Sequence, residues 1–115
     1  MNANLKKWID ALRSGDYKQG MYKLRSRAEE YCCLGVACDV YANEHDDEEV
    51  SSWRIRNNQS WEFGSFTNIL PEEVASWMGF NGDNSVNMQD EVIYLNDREK
   101  ANFNTIANFL EKTYA

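Results

Sequence analysis

The 115-residue sequence has no apolar run approaching the about 18 residues that a membrane-crossing helix needs. Its start, Met-Asn-Ala-Asn-Leu-Lys-Lys-Trp, lacks the apolar core of a secretory leader, so none is expected. It has no C-x-x-C pair, no Gly-rich phosphate loop, no nucleophile elbow and no H-E-x-x-H helix. Basic charge is also scarce. There are 12 Lys and Arg against 19 Asp and Glu, giving a net charge of −7 and a pI near 4.6. Bulk DNA, RNA and anionic membranes are held by a basic field, which this chain does not carry. The single histidine, His45, stands in an acidic stretch with no nucleophile beside it and reads as an exposed polar residue. Neither an internal repeat nor a low-complexity segment is present.

Cysteine is sparse and odd in number: Cys32, Cys33 and Cys38, all in one apolar run. That suits buried thiols in a reducing cytoplasm better than a secreted disulfide framework. It does not suit zinc. Neighbouring cysteines on a helix point about 100° apart, so these three and His45 do not gather around one ion. The acidic run Asp46–Glu49 lacks the alternation and the glycine of a calcium loop. No metal site, cofactor or catalytic set is expected.

What the chain does have is apolar and aromatic mass: 43% hydrophobic residues, with four Trp, six Tyr and five Phe. That suffices for one core, and a single α+β domain over residues 1–115 is expected. Its centre is the stretch Tyr31–Tyr41, which reads as a helix buried on most sides. Gly35 inside it costs about 1 kcal/mol relative to Ala, so a close approach of another backbone is its best use.

Around this centre about four helices and a small antiparallel sheet or hairpin are expected. Asn4 caps a first helix with an apolar stripe of Leu5, Trp8, Ile9 and Leu12, stopped by Ser14-Gly15. Met21, Tyr22 and Leu24, with the basic Lys23, Arg25 and Arg27, read as a short strand in the polar connection 15–30. Residues 43–49 read as a solvated acidic loop. Trp53 and Ile55, then Trp61 and Phe63, alternate with polar residues around Asn57-Asn58 and read as a hairpin. Pro71-Glu72-Glu73 opens a short helix that Gly79 ends. Residues 80–90 read as a polar loop and Val92–Leu95 as a strand. Asn96 or Asp97 then caps a last helix carrying Phe103, Ile106, Ala107, Leu110 and Tyr114.

One cluster carries recognition chemistry: Arg13, Tyr17, Gln19, Arg25 and Arg27, in the only locally basic part of the chain. Arg forks take phosphates bidentately, and Tyr faces accept a stacked base. The competing account is structural. Arg13 and Arg25 would then pair with Asp39 or with helix C-terminal carbonyls.

At this point the sequence resembles a family of small tailed-phage proteins. The resemblance rests on Trp8…Ala11-Leu12-Arg13-Ser14-Gly15-Asp16-Tyr17-Lys18-Gln19-Gly20 followed by Leu24-Arg25, on Tyr31-Cys32-Cys33-Leu34-Gly35-Val36…Cys38-Asp39, on Leu70-Pro71…Trp77-Met78-Gly79 and on Leu95-Asn96-Asp97…Phe103…Ile106-Ala107…Leu110. Nothing is carried over to residues 42–69. It implies a virus-encoded accessory protein of the bacterial host cytoplasm. Such proteins often counter host defence, one route being a sponge that sequesters a cyclic nucleotide immune signal without cleaving it. Arg13 and Arg25 then take phosphate, Tyr17 and Tyr22 stack on a base, and Gln19 reads a base edge. Asn96 and Asp97 line the same pocket, with helix capping as their other account. A homo-oligomer completing the pocket is expected. The alternative is a non-enzymatic acidic inhibitor that binds a basic host protein through its 44–49 surface.

Overall fold

Trp8 fixes how the first helix meets the core. Helix α1 (Ala3–Arg13) buries Leu5, Trp8, Ile9 and Leu12 as one stripe. The buried indole is satisfied because Trp8 Nε1 donates to Cys33 O at 2.9 Å. This computed structural model describes residues 2–45, 53–56 and 60–115. The cap of α1 is Asn2 rather than Asn4. Asn2 Oδ1 accepts from Asn4 N and Leu5 N, while Asn4 Nδ2 is used on Trp77 O. Either Asn suits a cap by residue type; the tertiary contact to Trp77 decides between them.

Helix α2 (Cys33–Glu44) is the centre of the molecule, with every residue from Cys33 to Cys38 buried. A Cβ on Gly35 would lie 1.7 Å from Leu24 O, so the expected close approach is present, and its partner is the backbone at Leu24. The segment leading to Leu24 is not the expected strand. Tyr22 adopts φ 69°, which breaks an extended chain, and Leu24 turns inward to full burial. The pairing falls on either side instead: β1 (Lys18–Gln19) runs parallel to β2 (Glu30–Tyr31). Strands β3 (Trp53–Arg56) and β4 (Ser60–Phe63) form the expected antiparallel hairpin, with Trp53 opposite Phe63 and Ile55 opposite Trp61. Its turn at Asn57-Asn58, like residues 46–49 of the expected acidic loop, lies outside the described residues. Asn43 and Glu44 close α2.

Helix α3 (Glu72–Trp77) starts after Pro71, and Gly79 at φ 92° follows it. Two expectations fail next. Residues 82–90 are helix rather than loop and Val92–Leu95 is not a strand; they belong to α4 (Gly82–Ile93) and the π-helical turn Tyr94–Arg98. Asn81 N donates to Asn84 Oδ1, the return half of a capping box, and Met88 and Val92 supply a narrow buried stripe. With so few apolar residues the helical period is faint, while the β-branched pair Val92-Ile93 mimics a strand. Asn96 and Asp97 do not cap the last helix, α5 (Phe103–Tyr114). Asn102 does, with Oδ1 accepting from Thr105 N at 2.9 Å.

The architecture is α+β: five α-helices, four of them of seven residues or more, with two two-stranded sheets among the described residues. None of its described helices is long and apolar enough to cross a membrane.

Candidate functional site

The π-helical turn is where the chain spends buried polar groups. Its bonds skip one residue further than an α-helix does, as in Glu99 N to Tyr94 O at 3.0 Å. Such turns are rare and are often found at functional sites. Here the turn points Asn96 and Asp97 inward, to 1% and 8% exposure. Asn96 Oδ1 accepts from Gln19 Nε2 at 2.9 Å and from Cys33 N at 3.2 Å. Asn96 Nδ2 donates to Gly20 O at 2.9 Å and to Asp97 Oδ1 at 2.7 Å. Asp97 Oδ1 also accepts from Tyr22 N at 3.1 Å, which ties down the left-handed residue. One side chain thus joins the start of α2, the 19–22 segment and the π turn.

Beside this knot lies a groove of about 250 Å3 whose lining includes Arg13, Gly15, Tyr17, Gln19, Asn102 and Phe103. Tyr17 OH donates to Asp39 Oδ2 at 2.6 Å, and Trp53 Nε1 donates to Asp39 Oδ1 at 3.0 Å. Burial, with the Asp39 carboxylate second, pushes the Tyr17 phenol well up, so it stays protonated. Gln19 Nε2 also donates to Ala101 O at 2.8 Å. Arg13 reaches across to α5, where it meets Glu111 at 3.2 Å and Asn108 Oδ1 at 2.7 Å. The Arg13 guanidinium holds the Glu111 carboxyl below the usual range. The partial positive charge at the start of α5 adds to the same end of the groove.

All three cysteines are free and buried. No group of His, Cys, Asp and Glu among the described residues is arranged to hold a metal ion. A family model described as Domain of unknown function (DUF8296) matches residues 1–114. The chain belongs to that family. No curated protein matches it, and no solved structure does.

Of the residues singled out from the sequence, Arg13, Tyr17 and Gln19 share the groove. Asn96 lines the neighbouring one, and Asp97 sits behind it in the knot. Tyr22 is 63% exposed and attached through its backbone. Arg25 is placed elsewhere. Its guanidinium lies 3.9 Å from the Trp61 ring centroid and 5.4 Å from those of Tyr31 and Trp53, and it pairs with Glu29. That is a cation held among aromatic faces, and Arg25 is not among the residues lining the groove at Arg13. Neither Arg13 nor Arg25 pairs with Asp39, whose oxygens are taken by a phenol and an indole. Asn102 and Phe103 were missed in the sequence because nothing there showed that the start of α5 faces Tyr17. The Asn at position 102 ahead of the apolar stripe was the available signal.

Proposed function

We propose that this protein binds a small nucleotide and withholds it, without chemistry, in the manner of a sponge for a cyclic nucleotide signal. The observation that carries the reading is the groove in which Arg13, Tyr17 and Gln19 stand together beside the start of α5. Arg13 takes phosphate there, with the helix start adding to its field. Tyr17 offers ring surface to a base, and the groups that internal bonds leave over, Gln19 Oε1 and Asn102 Nδ2, lie at hand. Arg13 is free to exchange, since exposed ion pairs such as Arg13–Glu111 hold weakly against a dianionic ligand. Sequestration needs affinity alone and can dispense with transition-state complementarity. The setting, a phage protein acting against host defence in the bacterial cytoplasm, rests on the sequence resemblance.

The test is a thermal-shift screen against cyclic mono-, di- and trinucleotides. A ligand that binds only the folded chain raises its melting temperature by mass action. The expected result is a rise with at least one nucleotide and an affinity loss on the order of tenfold or more in Arg13→Ala. Ligand recovered unchanged after denaturing the complex separates binding from turnover.

A second reading has its own observation. A groove of about 380 Å3 between α4 and α5 is lined by Asp90, Glu91, Tyr94, Leu95 and Phe109. Apolar walls with two acids suit a basic protein segment, as an acidic inhibitor of a host factor requires. Asp90→Lys with no change in nucleotide response, and loss of a basic partner, would favour it.

A further inference from the structure

The groove at Arg13 does not end at Gln19. A second groove of about 220 Å3 starts on the other side of that side chain, lined by Gln19, Met21, Asn96 and Lys100. The 17–21 and 100–104 segments border both, while Leu12, Arg13 and Gly15 complete the first and Asn96 the second. On one wall Tyr17 and Gln19 line the first groove, and Gln19 and Met21 the second. On the other wall the chain runs in the opposite direction: Asn102–Asn104 line the first groove and Lys100 the second. Gln19 Nε2 reaches across to Ala101 O at 2.8 Å, between Lys100 and Asn102. Its amide therefore stands between two adjoining grooves.

We infer that one chain holds one dinucleotide along these two grooves, one nucleotide unit to each lobe, with Arg13 and Lys100 each taking an anionic group. The inference rests on the nucleotide reading above. Size supports it. At about 250 and 220 Å3 each lobe alone falls short of the about 300–1,000 Å3 of ordinary small-molecule sites, and only a ligand that occupies both reaches that range. The charge pattern matches, with one cation per lobe. Lys100 makes no ion pair among the described residues, and its φ of 54°, uncommon outside glycine, fixes where its side chain leaves the backbone. Each lobe also offers a base an apolar wall: the half-buried Tyr17 in the first, the 41% exposed Met21 in the second. A dinucleotide shared between two copies of the chain, the arrangement in which a homo-oligomer completes the pocket, would need two chains per ligand instead.

Titration calorimetry of the full chain with cyclic di-AMP, cyclic di-GMP, 3′,5′-cyclic AMP and 3′,5′-cyclic GMP tests this. The expected result is one dinucleotide per chain, bound about tenfold or more tighter than the matching mononucleotide. Lys100→Ala should close most of that margin while the unliganded melting temperature stays near wild type. Three results overturn the two-lobed site yet leave nucleotide binding intact: two chains per dinucleotide, no margin over the mononucleotide, or a margin that survives Lys100→Ala. Failure of all four nucleotides to bind overturns the nucleotide reading and this inference together.

Discussion

Gly35 has no room for even a methyl group. The added carbon would meet Leu24 O at 1.7 Å and Leu24 C at 2.6 Å, both backbone atoms that cannot swing away as a side-chain end can. Gly35→Ala is therefore expected to destabilise the fold by the upper end of the about 1–3 kcal/mol typical of overpacking, or more. A urea midpoint within error of wild type would sink that account. Asn96 fails in the opposite sense. Its side chain serves Gln19, Gly20, Cys33 and Asp97 at once. Asn96→Ala strands buried donors and acceptors and should cost about 3 kcal/mol. Asn96→Asp, which keeps the shape but loses the donors to Gly20 O and Asp97 Oδ1, should recover little of it. A full recovery would show that shape alone holds the knot.

At the scale of elements, the π-helical turn and the segment 18–22 act as one unit. Gly20 N donates to Tyr31 O on one edge, and Asn96 Nδ2 donates to Gly20 O on the other. That places Gln19 between the two lobes and leaves Tyr22 on a left-handed backbone. Tyr22→Gly relieves the φ of 69° and keeps the N–H that donates to Asp97 Oδ1. Its stability should match or exceed wild type, read as a melting temperature no lower than wild type. A clear drop would mean that the Tyr22 ring itself packs against something the fold needs. The helical elements themselves were unevenly legible. The α1, α2 and α5 stripes stand out because their apolar residues are large and periodic, and the hairpin because its aromatics alternate. Helix α4 was hidden because only Met88 and Val92 of its twelve residues are fully buried.

At the scale of the whole molecule, the three buried thiols make stability depend on alkaline pH. Burial pushes Cys32 up to about 11, and Cys33 and Cys38 well up. The folded chain therefore keeps protons that the unfolded chain releases. The stability tied to these thiols is full below the unfolded thiol range, about 8.5–9, and is lost as pH rises through about 11. Urea midpoints measured from pH 8 to pH 11 should fall, and a flat profile would contradict thiol burial. A thiol reagent at pH 8 should label none of the three until denaturant is added.

Much was settled by the sequence alone. Hydrophobic periodicity marks α1, α2 and α5, alternation marks the hairpin, and the charge balance argues against a bulk nucleic-acid or membrane surface. These are local or summed properties, carried by residue type and spacing without regard to where distant segments go. Placement was decided by the tertiary structure. Asn2 rather than Asn4 caps α1 because Trp77 claims Asn4. Asn96 and Asp97 turn inward rather than cap α5 because Gln19, Gly20, Tyr22 and Cys33 converge on them from segments more than sixty residues away. Arg13 and Arg25, twelve residues apart, separate for the same reason: one finds α5, the other the aromatic faces of the hairpin. Hydrogen bonds and cation–ring contacts between distant residues have no period along a chain, so only the folded molecule decides them.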